Sequence, residues 1–111
     1  MNWIPLQQEN QLEQIRERSG GRPQVIFKHS TRCSTSALVK SRLERVRQPE
    51  TIDFYFLDLL SYRPISNKIS ETFEVDHESP QILLIMNGKC IYDESHTGIT
   101  MDEIIDQSVR A

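Results

Sequence analysis

The run Gln24-Val25-Ile26-Phe27-Lys28-His29-Ser30-Thr31-Arg32-Cys33-Ser34-Thr35-Ser36 decides how the rest of this chain is read. Gln24 to Lys28 is short, largely apolar and β-branched, which predicts a buried strand. His29 to Ser36 is a polar run of mostly small residues that leads into a helix read from about Cys33 to Val46 and closed by Pro49. Ala37, Leu38, Leu43 and Val46 are the expected apolar positions of that helix, with Lys40, Arg42, Glu44 and Arg45 on its wet side. A buried strand that hands over to a helix belongs to a sheet with parallel strands.

Upstream of this unit, Asn2-Trp3-Ile4-Pro5-Leu6 reads as a short strand or extended lead-in, its length limited by Pro5. A polar helix follows from about Gln8 to Arg18, with Leu12 and Ile15 on one face, and Ser19-Gly20-Gly21 ends it. Downstream, Ile52 to Leu57 is the next strand. A third helix starts near Arg63-Pro64, where proline suits the first turn, and runs through Ile65, Ile69 and Phe73. Gln81 to Met86 and Lys89 to Tyr92 are strands joined by the hairpin signal Asn87-Gly88. Thr100-Met101-Asp102-Glu103 fits a capping box, and Ile104, Ile105 and Val109 give the last helix its apolar face. The resulting order is β-α-β-α-β-α-β-β-α. It predicts an α/β fold with a mixed sheet, parallel at first, antiparallel edge strands from the hairpin, and helices on both faces. No repeat or linker interrupts it, so residues 1–111 are expected to form one domain.

Composition narrows the function. The longest apolar stretch, Ile82 to Met86, is far short of the roughly 20 residues a membrane-spanning helix needs. The net charge of −3 is scattered, which argues against a nucleic-acid partner. No secretory signal pattern opens the chain, and a cytoplasmic location is expected. Two cysteines cannot make a disulfide scaffold, and three scattered histidines do not suggest a metal site.

Of the two cysteines, Cys33 stands where strand passes to helix. Free backbone N–H groups and the positive end of the helix dipole favour a thiolate there. Arg32 is adjacent, Lys28 and His29 lie just before it, and Ser34, Thr35 and Ser36 add donors in the first turn. Polar, mostly small flanks suit a reactive thiol better than a core position. Cys33 to Ser36 is C-x-x-S, a redox dithiol with its second sulfur replaced by hydroxyl, so the second exchange needs an external thiol or a distant cysteine. Cys90, between Lys89 and Ile91, reads as a half-buried strand residue. His29 is a possible base toward Cys33, although a histidine ending a strand more often satisfies a local hydrogen bond. His77 and His96 read as loop stabilisers, and Trp3 as a lid on the core.

The stretches NWIPL, IFKHSTRC, LDLLSYRPISN, HESPQILLI and NGK…YDESH…IT, which span nearly the whole chain, resemble the monothiol bacilliredoxins of the thioredoxin superfamily. The usual active-site run of that family is threonine-cysteine-proline-isoleucine-serine. Arg32-Cys33-Ser34-Thr35-Ser36 keeps only the cysteine and the final serine. The resemblance implies a thioredoxin-like sheet and Cys33 as the attacking thiolate, within an active-site loop that includes Thr31, Arg32, Ser34 and Ser36. Ser36 takes the resolving position. It implies that Pro80 follows a cis peptide bond and that Ser79 and Pro80 bind substrate. The implied reaction removes bacillithiol, or a similar small thiol, from S-bacillithiolated client proteins, with bacillithiol as co-substrate and no metal or organic cofactor. Two other readings stand beside it. One is a thioredoxin-like binding module that makes no use of Cys33. The other is an iron–sulfur carrier of the monothiol-glutaredoxin kind, whose usual glycine-phenylalanine is replaced here by Ser34-Thr35.

Overall fold

Strand β2 (Gln24–His29) is buried at every position, so both of its faces must be covered. Alternate residues of a strand point to opposite faces. Val25 and Phe27 therefore enter one hydrophobic core and Ile26 the other. The same alternation splits β3 (Asp53–Asp58), with Phe54 and Phe56 on one side and Tyr55 and Leu57 on the other. In β4 (Gln81–Met86) it separates Ile82 and Leu84 from Leu83 and Ile85.

The computed structural model describes residues 1–110. Its five-stranded sheet has the order β1-β3-β2-β4-β5, with β1 at Trp3–Pro5 and β5 at Lys89–Ser95. Strands β1, β3 and β2 are parallel, while β4 runs antiparallel to β2 and β5 antiparallel to β4. Helices α1 (Asn10–Arg18) and α3 (Arg63–Phe73) cover one face with Leu12, Ile15, Ile65, Ile69 and Phe73. Helices α2 (Ser34–Glu44) and α4 (Met101–Arg110) cover the other with Val39, Leu43, Met101 and Ile104. The order of elements is the expected one, with a 3₁₀ turn at His96–Gly98 added before α4.

Four details differ from the sequence reading. First, β4 is an inner strand between β2 and β5, and the edges are β1 and β5. The hairpin pairs through its first strand with β2 because β4, apolar on both faces, gains most from being covered. Second, α2 turns Ser36, Val39 and Leu43 inward and leaves Ala37 and Leu38 outside, with Leu38 half exposed. With Ser34 as its first residue, the inward row is 36, 39 and 43, at helical spacing. Val46 lies beyond the helix end and is exposed. Third, α4 buries Met101 and Ile104, whereas Val109 is three-quarters exposed. Fourth, α1 begins at Asn10, β3 at Asp53, and β5 runs on to Ser95 past a bulge between Leu84 and Ile85.

Two local signals read as expected. Asn87 and Gly88 both have positive φ, 53° and 78°, as a two-residue hairpin with right-handed strand twist requires. Ser19 pins that turn, accepting the Asn87 N–H on its carbonyl (2.9 Å) and the Gly88 N–H on its hydroxyl (2.8 Å). At α4 the Thr100 hydroxyl accepts the Glu103 N–H at 3.2 Å, one arm of the capping box.

Candidate active site

The parallel strands end together, and that end carries the candidate residues. His29, last in β2, pairs in register with Asp58, last in β3. Lys28 pairs with Gln81 across the antiparallel junction, so one further step along that register brings Pro80 beside His29. The Ser79–Pro80 peptide bond is cis, as the resemblance implies, and the Pro80 carbonyl accepts the His96 N–H at 2.9 Å. From this end of the sheet the chain turns through Ser30, Thr31 and Arg32 into α2.

Cys33 is the N-cap of α2 rather than its first residue. Its backbone is extended (φ −107°, ψ 116°), its thiol makes no capping hydrogen bond, and it is partly exposed. It therefore lies beside the first-turn N–H groups, which have no partner within the helix. Thr31, Arg32 and Ser34 are exposed around it.

Ser30 holds this loop by each of its polar groups. Its carbonyl accepts the Cys33 N–H (3.2 Å), its hydroxyl accepts the Arg32 N–H (3.4 Å), and its own N–H donates to the Ser36 hydroxyl (3.2 Å). Ser36 is fully buried, and its Oγ also lies 2.7 Å from His29 Nδ1. The residue in the resolving position is thus bound into the loop from within. His29 is itself buried, tilted against the rings of Phe27 and Phe56. Burial is the main cause holding its imidazole below the ordinary histidine pKa. The Lys40 ammonium adds to the effect, and the carboxylates of Asp58 and Glu44 oppose it.

Lys28 points the other way. As neighbour of His29 in a strand it faces the α3 side, fully buried, with Nζ near the Ser66 carbonyl (3.5 Å), Ser70 Oγ (3.4 Å) and His77 Nδ1 (3.4 Å). Burial lowers its pKa to about 8. Its expected help to Cys33 is absent for this reason of alternation. Residues 25 to 29 already carry the signal, since Val25, Phe27 and His29 share a face that Lys28 does not. Two other polar atoms near this end carry no signal in the sequence: Ser79 Oγ and Asp58 Oδ1 are buried without a hydrogen-bond partner.

Cys90 sits at the far end of the sheet. It pairs with Ile85, which pairs with Gln24, the first residue of β2. Five strand steps to His29 span about 17 Å, well beyond the roughly 7 Å Cα separation that a disulfide tolerates. Burial pushes the Cys90 thiol up to about 11. A cavity of about 730 Å³ also opens at that far end, between β1 and residues 48–54, and none of the expected site residues lines it. Of the remaining histidines, His96 Nε2 meets Glu78 at 3.1 Å, and His77 meets Lys28 and Ser66. Trp3 stacks on Phe27 at 5.5 Å and covers the core. Among the described residues no helix is long and apolar enough to cross a membrane, and no group of three His, Cys, Asp or Glu side chains is arranged to hold a metal.

Comparison with known proteins returns the same fold and names a family. The family model described as monothiol bacilliredoxin BrxC matches residues 4–104. A solved structure described as "a putative oxidoreductase with a thioredoxin fold" superposes with a TM-score of 0.83 at 27% identity, covering 95% of this chain and 92% of that one. Thioredoxin from Fasciola hepatica superposes at 0.73 and 18% identity, covering 96% of each chain. Thioredoxin from Trypanosoma brucei brucei does so at 0.75 and 13%, covering 99% of this chain and 93% of that one. The last two establish the fold alone.

Proposed function

Because the chain belongs to the monothiol bacilliredoxin family and is a thiol redox protein of thioredoxin fold, we propose that it removes bacillithiol from mixed disulfides on cytosolic proteins. The observation that carries this reading is the contrast within the C-x-x-S run. Cys33 is partly exposed at a helix N-cap, while Ser36 is fully buried and hydrogen-bonded. A site built this way attacks a disulfide and has no second thiol with which to resolve the product.

Cys33 reacts as its thiolate, the nucleophilic form of a thiol. The thiolate attacks the bacillithiol sulfur of the mixed disulfide. The client leaves as a thiolate, and Cys33 now carries bacillithiol in a disulfide. A second small-thiol thiolate attacks that sulfur, giving the small-molecule disulfide and free Cys33. Each step breaks one S–S bond and forms one, and the reducing electrons come from the second thiol. Cys90 lies too far away to replace it. Ser79 and Pro80, at the same end of the sheet, serve the extended substrate segment. A reducing compartment suits this cycle, since free thiols persist there.

A purified S-bacillithiolated protein incubated with the chain tests the reading by mass spectrometry. The expected result is loss of bacillithiol from the client with a matching gain on Cys33; added bacillithiol then frees Cys33 without restoring the client's modification, and Cys33→Ala shows neither transfer. Equal release by Cys33→Ala overturns it.

A further inference from the structure

We propose that His29 is a positioning residue for Cys33, acting through the Ser36 hydroxyl as a hydrogen-bond acceptor that fixes the Ser30–Cys33 loop. This deepens the proposed function and rests on Cys33 being the reacting thiol. It assigns the serine of the C-x-x-S run a task of its own, in place of an idle substitute for a thiol.

The argument is one of donors and acceptors. A serine hydroxyl offers one proton and two lone pairs. One lone pair of Ser36 Oγ takes the Ser30 N–H. Ser36 is fully buried, so its proton needs a protein acceptor or remains unpaired at a cost. His29 Nδ1, at 2.7 Å, is the acceptor present. Nδ1 must then be unprotonated, with the ring proton on Nε2. From Ser36 the connection to the reactive residue is short: Ser36 to the Ser30 N–H, then the Ser30 carbonyl to the Cys33 N–H.

Protonation reverses the arrangement. A proton on Nδ1 would turn that nitrogen into a donor, strand the Ser36 hydroxyl proton, and place a buried cation near Lys40. The groups facing His29 are Lys40 and Glu44 from α2 and Asp58 from β3. Lys40 is bonded to Glu44 at 2.8 Å, and Asp58 spends one carboxylate oxygen on Ser61 at 3.0 Å. The direction of the His29 pKa agrees with a neutral ring held as acceptor.

The full chain, labelled with ¹⁵N, tests the first half without any mutation. His29 is expected to show an unprotonated Nδ1 and a protonated Nε2 at neutral pH, and a protonated Nδ1 there overturns the proposal. The second half uses iodoacetamide, which reports Cys33 reactivity without bacillithiol. Ser36→Ala and His29→Phe should each slow Cys33 alkylation about fivefold, the scale of one lost hydrogen bond. The double variant should be no slower than either, since both remove the same link. His29→Asn, which retains an acceptor near the Nδ1 position, should recover most of the rate, and Ser36→Ala should raise the His29 pKa toward its ordinary value. Unchanged alkylation in both single variants, or full additivity in the double variant, sinks the positioning role. If bacillithiol release fails while these results hold, the substrate assignment falls and the role of His29 stands.

Discussion

Each end of the same sheet holds one cysteine, both half-buried, and the two differ in what surrounds the thiol. At one end Cys33 caps a helix, partly exposed, on a loop fixed by Ser30 and Ser36. At the other, Cys90 packs against the α1–α3 core inside an edge strand and donates to the Tyr92 carbonyl at 3.3 Å. Residue type alone therefore says little about reactivity. Position relative to strand ends says more, because parallel strands leave their C-terminal edge to loops and helix N-termini.

The largest test of this contrast is selective labelling. With its thiol at about 11, Cys90 has a thiolate fraction of roughly 3 in 10⁴ at pH 7.5. Peptide mapping after brief alkylation should find Cys33 labelled at least about a hundredfold faster. The Cys90 rate should rise steeply toward pH 11, and comparable labelling of both at pH 7.5 would erase the difference between the two ends.

A second test concerns the helix that carries the reactive end. Leu43 is buried and Leu38 half exposed, although both read as apolar positions of α2. Leu43→Ala should cost about 2–5 kcal/mol in denaturant unfolding, and Leu38→Ala no more than about 0.5 kcal/mol. Similar costs would mean that the helix faces the sheet differently.

The smallest effect separates Lys28 from the site beside it. Its folded pKa of about 8 lies below the ordinary 10.5, so between these values the unfolded chain holds a proton that the folded one lacks. Stability must then rise with pH from about 8 to 10.5. Lys28→Met should abolish that rise and stabilise the protein at pH 7 by about 1 kcal/mol. It should also leave Cys33 alkylation within about twofold of the native rate. A larger loss of alkylation would put Lys28 in the reactive end after all.

Much of this is legible in the chain alone. The β2 run, the proline at the start of α3, the Asn87-Gly88 turn and the Thr100 cap each depend on a few adjacent residues, and all four stand where the pattern predicts them. The inner place of β4 was not legible, because strand order depends on which apolar faces remain uncovered after the others pair. Nor was the inward turn of Ser36, since a buried hydroxyl looks like a solvated one until its acceptor is known.

The sequence by itself determined the succession of elements and the presence of one thiol at a strand-to-helix junction, with a serine three residues on. Periodicity and turn chemistry act over a few residues, and the chain spells them out directly. Only the tertiary structure decided that His29 meets Ser36, that Lys28 serves the opposite face, and that Cys90 lies a sheet's length from Cys33. Those relations are set by register and by packing between segments distant in the chain, where the favourable partner of a polar group is whatever the fold brings within hydrogen-bonding reach.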